Sequence, residues 1–167
     1  MLLNSFEPLW REDAHILVLG SMPGVASLEQ QQYYAHPRNL FWPLLFNGDL
    51  SAVPQDYSLR CCRLFDRRLA LWDVLKHCRR AGSLDSAIET QSEVANDFAY
   101  LFKRLPLLKR ICFNGQKAAQ SFSRHVIKAG LDCSAYELLT LPSTSPANAG
   151  ISYEKKYRLW AEALQLL

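Results

Sequence analysis

The sequence lacks a long hydrophobic run. No apolar stretch reaches the roughly 18 residues that a membrane-spanning helix requires. The first residues, Met1 to Asn4, also lack the basic and then apolar order of a secretory signal peptide. We therefore expect an intracellular protein that is not inserted in a membrane.

The sequence also lacks cysteine and histidine patterns that are typical of metal sites or of disulfide frameworks. The chain has 5 cysteines, but they form no CxxC pair and have no histidine at a spacing typical of zinc sites. An odd number of cysteines does not complete a disulfide framework. The 4 histidines are equally scattered. We expect reduced cysteines that pack in the interior, and no metal site.

Neither a GxGxxG fingerprint nor a P-loop is present. The nearest approach is the glycine-bounded turn GSMPG from Gly20 to Gly24, which follows an apolar run but has the wrong spacing for either motif. Serine, cysteine and histidine residues do not stand in a nucleophile–base signature. These absences give little support to a bound cofactor or to a covalent catalytic triad, and we expect no cofactor.

The sequence also lacks a strong excess of charge of one sign. The formal net charge is +3, which neither indicates nor excludes nucleic-acid binding, because that depends on where basic residues cluster. With 167 residues and no internal repeat or long linker, the chain is expected to form a single domain over residues 1–167. Four arginines in the helical segment 57–69 either face a phosphate backbone or form a solvated surface. They are Arg60, Arg63, Arg67 and Arg68.

Short apolar runs alternate with segments of helical periodicity. Strands are predicted over 16–19, 111–113 and 136–141, and helices over 93–105, 116–128 and 153–167. The apolar run 69–75, LALWDVL, fits either a strand or a buried helix. Alternation of strands and helices predicts an α/β fold with a mostly parallel sheet that is covered on both faces.

Three of the predicted strands end in unusual loops. GSMPG, FNG and LPSTSPAN would meet at the carboxyl edge of a parallel sheet, where such folds bind ligands. The hydroxyls of LPSTSPAN suit phosphate oxygens, although such a segment is often only a rigid loop. Asn114 of FNG is either a turn former or an amide that reads a base edge. Asn39 is similarly either a helix cap or a functional amide.

In conjunction, these segments resemble a known family. GSMPG, YYAHPRNLFW, LALWDVL, GSLDSAI, ICFNGQKA and LPSTSPANA occur in that order. They are similar to the hypoxanthine-DNA (deoxyinosine) glycosylase branch of the uracil-DNA glycosylase superfamily. The similar segments extend from about residue 15 to the final helix. The resemblance implies a three-layer α/β/α sandwich with a central, mostly parallel sheet of about four strands, and a monofunctional enzyme without metal or cofactor.

The resemblance also implies roles for individual residues. Many superfamily members carry an acid or asparagine in the first motif to position the attacking water, but this chain has Ser21-Met22 there. In the branch that it resembles, this role belongs to the asparagine that matches Asn39. The asparagine that recognises the base in relatives matches Asn114. The motif that contacts the DNA backbone matches Ser143, Thr144, Ser145, Pro146, Ala147 and Asn148.

Elementary chemistry completes this hypothesis. The amide of Asn39 would orient water rather than remove a proton. The amide of Asn114 would pair with the acceptor and N–H donor that hypoxanthine and uracil share, and reject adenine and cytosine. Phe41 is predicted to be the stacking wall for the base, with Tyr33, Tyr34 and Trp72 as weaker candidates. Gly20, Ser21 and Met22 would shape the pocket, and backbone N–H groups from Gly20 to Gly24 would stabilise the departing base.

We therefore predict a DNA glycosylase that flips deaminated bases out of DNA, with hypoxanthine preferred. The alternative within the class is a uracil- or mismatch-specific glycosylase. The alternative outside it is a DNA-binding module that has lost its chemistry, which the missing acid in GSMPG would explain. In either case the expected partner is DNA, and we expect a monomer.

Overall fold

The computed structural model describes residues 1–166. Its strands are β1 (Leu2–Asn4), β2 (Ile16–Gly20), β3 (Leu69–Asp73), β4 (Leu75–Arg79), β5 (Val94–Ala95), β6 (Arg110–Asn114) and β7 (Glu137–Leu141). Its α-helices are α1 (Val25–Gln30), α2 (Phe41–Leu44), α3 (Tyr57–Asp66), α4 (Phe98–Arg104), α5 (Gln116–Phe122) and α6 (Tyr153–Ala163). The predicted helix 153–167 thus ends at Ala163, and Leu167 lies outside the described residues.

A four-stranded parallel sheet in the order β3-β2-β6-β7 forms the centre of the molecule. Every residue of the central strand β2 is buried. Its side chains alternate between two hydrophobic cores, because successive residues of a strand point to opposite faces of a sheet. Ile16 and Val18 belong to one core, and Leu17 and Leu19 belong to the other.

Helices cover both faces of this sheet. The core that contains Ile16 also takes apolar residues from α2, α3 and α6. The core that contains Leu17 takes them from α4 and α5, and from a small antiparallel sheet of β1, β4 and β5. The prediction of a three-layer α/β/α sandwich with about four mostly parallel strands is confirmed, with the small sheet as an addition.

The ambiguous segment 69–75 is a strand that changes sheets. Strand β3 pairs with β2 in parallel, and β4 begins at Leu75 and joins the small sheet. Between them, the backbone N–H of Val74 donates to the carbonyl of Gly20 at 2.8 Å. The chain therefore leaves the central sheet directly after Asp73, at the level where β2 also ends.

The predicted helix over 93–105 is wrong in its first part. Residues Val94–Ala95 pair with β4, and α4 begins only at Phe98, after Asp97 accepts a hydrogen bond from the N–H of Tyr100 at 3.1 Å. The capping carboxylate sets the start of the helix, since it satisfies a backbone donor that the first turn leaves free.

Two of the four clustered arginines hold loops in place. The Nε–H of Arg60 donates to the carbonyl of Pro54 at 2.7 Å, and that of Arg63 donates to the carbonyl of Leu45 at 2.8 Å. The guanidinium of Arg63 also lies over the ring of Phe46, 5.4 Å from its centroid. The structure therefore gives these two arginines a local structural role. No helix within residues 1–166 is long and apolar enough to cross a membrane.

Candidate active site

A cavity of about 680 Å³ opens at the carboxyl edge of the parallel sheet. It is lined by the loop after β2, the segment 33–39, the segment 83–86, the ends of β3 and β6, and the loop 143–148. Its volume lies in the range of typical small-molecule pockets, so a nucleobase fits. The loops GSMPG, FNG and LPSTSPAN therefore meet at this cavity, as predicted from the sequence. The segments LALWDVL and GSLDSAI and the segment that leads to Asn39 also contribute residues to it.

Asn39 lines this cavity, and its side chain also closes a turn directly before a helix. Its Oδ1 accepts a hydrogen bond from the backbone N–H of Phe41 at 3.0 Å, at the start of α2. The side chain is half-buried, and its Nδ2 donates to no atom of residues 1–166. Both sequence interpretations of Asn39 are therefore compatible, because capping fixes the amide oxygen and leaves the amide nitrogen for a ligand.

Phe41 does not line the cavity, so the prediction that it is the stacking wall for the base is wrong. The ring is fully buried, because α2 begins at this residue and packs it into the core against Trp42 and Trp160. Tyr34 lines the cavity instead, and its ring centroid lies 4.5 Å from that of Phe41 at an angle of 30°. Phe41 therefore supports the aromatic ring that faces the cavity.

Tyr34 adopts an unusual backbone conformation. Its φ of 52° lies in the left-handed region, which aromatic residues seldom occupy. Such strain is found mainly where a site requires a particular side-chain direction. The weaker candidate Tyr33 also lines the cavity, whereas Trp72 packs in the core and donates to the carbonyl of Phe6 at 2.9 Å.

Asn114 lines the cavity, but its amide is already engaged. Its Nδ2 donates to Oγ1 of Thr144 at 2.9 Å, and its Oδ1 accepts from the backbone N–H of Thr144 at the same distance. One N–H and one lone pair remain, so the amide is no longer free to turn toward a base. Asn114 fastens the loop 143–148 to the end of β6, and base reading by this residue alone stays a prediction.

Thr144 is the exception among the predicted DNA contacts. Only 1% of the residue is exposed, and its carbonyl accepts from the N–H of Leu40 at 3.1 Å. The side chain therefore anchors the loop rather than facing a DNA backbone. Ser143, Ser145, Pro146, Ala147 and Asn148 are less buried and line the cavity at its outer part. The hydroxyl of Ser145 accepts from the N–H of Ala147 at 3.2 Å and keeps its own proton for donation.

Gly20, Ser21 and Met22 line the cavity, as predicted from the sequence. Ser21 is buried, and its hydroxyl donates to Oδ1 of Asp85 at 2.5 Å. A Cβ atom at Gly20 would lie 2.5 Å from Oδ1 of Asp73 and 3.0 Å from the hydroxyl of Tyr34. Only glycine leaves room there for both polar groups.

Sequence reasoning missed the two carboxylates of the cavity, Asp73 and Asp85. Burial, and then the nearby charge of Asp85, raise the pKa of Asp73 to about 7, against the opposing effect of Arg80. The sequence signal for Asp73 was an acidic residue at the end of the apolar strand LALWD. In the structure Asp73 lies in register with Gly20. The turn GSMPG thus lacks an acid, but the neighbouring strand brings one to the same place. Within residues 1–166, no group of three or more acidic, histidine or cysteine side chains is arranged to hold a metal ion.

Comparison with known proteins gives the family. A sequence model described as the uracil DNA glycosylase superfamily matches residues 8–167. Two relatives bear the name hypoxanthine DNA glycosylase. The one from Methanosarcina acetivorans is 37% identical to this chain, over 93% of this chain and 94% of the relative. The one from Methanosarcina barkeri is 36% identical, over 97% of this chain and 98% of the relative. The chain belongs to the uracil DNA glycosylase superfamily.

A solved structure has the same fold. It is a solution NMR structure of a Methanosarcina acetivorans protein described as a candidate uracil DNA glycosylase. Its TM-score is 0.80 at 35% identity, over 99% of this chain and 98% of that one. The resemblance inferred from the motifs is therefore confirmed by sequence and by structure.

Proposed function

We propose that this protein is a monofunctional DNA glycosylase that removes hypoxanthine from DNA. The observation that carries the proposal is the convergence of all six motifs of the resemblance on the cavity or on the residues that support it. Two relatives that match nearly the whole chain bear the name hypoxanthine DNA glycosylase, which supports the same substrate.

The cavity has the parts that hydrolysis of a glycosidic bond requires. The nucleotide must leave the base stack to bring C1′ into reach, which costs a few kcal/mol and less at a weak pair. Asn39 lies in the less buried part of the cavity, where its free amide nitrogen can orient a water molecule against C1′. Tyr34 offers an aromatic face to the base, and polar groups from the strand ends stabilise the charge that develops on it.

DNA is the expected partner, and its backbone is proposed to lie along the loop 143–148. The hydroxyls and backbone N–H groups of this loop suit phosphate oxygens. The exposed guanidinium of Arg38 lies at the same opening and adds a positive charge there. Its contact with DNA would be sensitive to salt, since it releases a counterion from the phosphate.

Excision of uracil is the second candidate function, because the structural neighbour is described as a candidate uracil DNA glycosylase. Hypoxanthine and uracil also present the same adjacent acceptor and N–H donor. A binding module without chemistry is less well supported, since the cavity contains carboxylates that the turn GSMPG lacks.

A strand-cleavage assay tests the proposal. Duplexes with a single deoxyinosine or a single deoxyuridine are treated with the protein and then with hot alkali, which cuts at abasic sites. We expect cleavage at deoxyinosine well above that at deoxyuridine. Cleavage at deoxyuridine alone would assign the uracil activity, and salt-sensitive binding without any cleavage would assign a binding module.

A further inference from the structure

Asp73 is one of the buried residues that line the cavity. It is the last residue of β3, lies in register with Gly20, and is only 3% exposed. Its Oδ1 lies where a side chain on Gly20 would otherwise be. We call Gly20, Tyr34 and Asp73 the cavity floor, and Arg38, Asn39 and the loop 143–148 the cavity mouth. A base that entered from the mouth would have its ring toward the floor and its sugar toward Asn39.

Two polar atoms of the floor have no partner. Oδ2 of Asp73 and the hydroxyl of Tyr34 are buried, and neither forms a well-formed hydrogen bond within residues 1–166, although the amide of Asn114 lies near the hydroxyl. Buried polar groups are nearly always hydrogen-bonded, because leaving one unpaired costs about 1–3 kcal/mol. Two such atoms at the end of one cavity indicate a place for the polar edge of a ligand.

Burial, more than the charges around it, favours the neutral form of Asp73. Four titratable groups influence it or are influenced by it: Asp85, Arg80, Tyr33 and Tyr34. Arg80 opposes this effect, but its Nε and one terminal nitrogen donate to the carbonyls of Gly82 and Pro23 at 2.7 Å, and its other terminal nitrogen forms no hydrogen bond within residues 1–166. Burial and the charge of Asp85 raise the pKa of Asp73 to about 7. Near neutral pH a large share of Asp73 is therefore a carboxylic acid with a proton to give.

We propose that Asp73 is the general acid that protonates the departing hypoxanthine. This inference rests on the proposed function and assigns it a catalytic residue on the base side of the bond. Asn39 and Asp73 then act on opposite sides of the same bond, one from the mouth and one from the floor.

The C1′–N9 bond breaks and its electron pair goes to the purine ring, while the carboxylic proton of Asp73 passes to N7, the most basic ring nitrogen. Neutral hypoxanthine leaves, and Asp73 becomes a carboxylate. The oxygen of water forms the new bond to C1′ and loses one proton to solvent, and Asp73 regains a proton from solvent. Deoxyinosine and water thus give hypoxanthine and an abasic sugar.

This arrangement favours purines over pyrimidines. Uracil has no ring nitrogen that corresponds to N7, so a proton at the floor accelerates its departure far less. The hydroxyl of Tyr34, whose pKa is raised by burial and by Asp73, keeps its proton and is a second donor to the base. Asp73 and Tyr34 together therefore account for a preference for hypoxanthine over uracil. The amide of Asn114 alone would not provide it, since an amide pairs equally with both bases.

Single-turnover excision of hypoxanthine between pH 5.5 and 9 tests the proposal. In the wild type we expect the rate to fall about tenfold per pH unit above the pKa of Asp73, since only the acid form acts. Asp73→Asn keeps a donor of similar shape that does not titrate. We expect it to be about 100-fold slower at pH 6 and to lose the dependence on pH. Asp132→Asn, a change at an exposed carboxylate that caps a remote turn, should keep the wild-type profile.

A substrate with carbon in place of N7 provides the second measurement. On a duplex with 7-deaza-2′-deoxyinosine, wild type and Asp73→Asn should have equal, low rates, because the atom that takes the proton is absent. An undiminished effect of Asp73→Asn on this substrate would overturn the proposal, as would an unchanged pH profile of the variant on deoxyinosine. If the wild type removes no hypoxanthine at any pH, the proposed function itself fails, which is a different result.

Discussion

The polar groups at the mouth of the cavity are hydrogen-bonded within the protein, whereas two of those at its floor are not. At the mouth, side-chain oxygens are bound to backbone donors: Asn39 caps Phe41, and Ser145 caps Ala147. At the floor, Oδ2 of Asp73 and the hydroxyl of Tyr34 are buried without any partner among residues 1–166. The mouth is preorganised by the fold, whereas the floor is left incomplete.

This difference separates two kinds of polar residue in one site. A side chain whose hydrogen bonds are satisfied by its own loop contributes shape and a remaining donor, as Asn39 does. A buried side chain without partners destabilises the folded protein until a ligand pairs with it. Asn114, which the sequence left as either a turn former or a base reader, also has a paired amide, because it is hydrogen-bonded to Thr144.

The largest expected effect is at the mouth. Asn39→Ala should lower the rate of hypoxanthine excision on the order of 100- to 1,000-fold, because it removes the donor that we propose lies beside C1′. DNA binding should persist, since the proposed phosphate contacts lie elsewhere. Asn39→Asp keeps the oxygen that accepts from Phe41, and its carboxylate can itself orient water, so it should retain more activity than Asn39→Ala. Single-turnover rates and DNA affinity measure both, and wild-type turnover in Asn39→Ala would refute the assigned role.

Gly20→Ala tests the floor through its geometry. The new methyl group would meet Oδ1 of Asp73 at 2.5 Å and the hydroxyl of Tyr34 at 3.0 Å, so both groups must move. We expect a loss of excision on the order of 100-fold, since small displacements of reacting groups have effects of that size. Gly150→Ala is the matched control, because a Cβ atom there meets nothing within 4 Å. Equal activity of the two variants would contradict the close packing of the floor.

Thermal unfolding shows whether the buried carboxyl of Asp73 destabilises or stabilises the folded protein. The pKa of Asp73 is raised in the folded protein, so its contribution to stability is fully present below the pKa of the unfolded chain and is lost as pH rises toward 7. Asp73→Asn removes this loss. We expect its Tm to exceed that of the wild type by several degrees at pH 8, and the gain to disappear near pH 4. A lower Tm at pH 8 would identify Asp73 as a structural residue.

The smallest effect is expected for the charge at the mouth. Arg38→Ala should weaken DNA binding several-fold irrespective of sequence, and reduce the slope of log affinity against log salt by about 1. Lys103→Ala, which removes an exposed charge from α4, should leave the slope unchanged. Titrations of a fluorescent duplex at several salt concentrations give both slopes, and identical slopes would remove Arg38 from the DNA surface.

The central sheet could be predicted from the sequence, whereas the small antiparallel sheet could not, and the residues of the mouth were predicted better than those of the floor. Alternating apolar runs predicted the parallel sheet because strand and helix periods are local properties of the chain. The motif loops predicted where the cavity lies, and Asn39 does line it. The role of Asp73 was not predicted, because it depends on burial and on the neighbours Gly20 and Asp85, which are distant in sequence. Phe41 was misplaced for a similar reason, since packing against Trp160 decides which aromatic ring faces the cavity.

A crystal structure with DNA that carries 2′-fluoro-deoxyinosine, a nucleoside that resists hydrolysis, tests this account most directly. The account predicts a flipped hypoxanthine against Tyr34, with the carboxyl of Asp73 within hydrogen-bond distance of N7 and the amide nitrogen of Asn39 near a water molecule that faces C1′. A base that stays at the mouth, with Asp73 hydrogen-bonded to protein groups beneath it, would contradict the account.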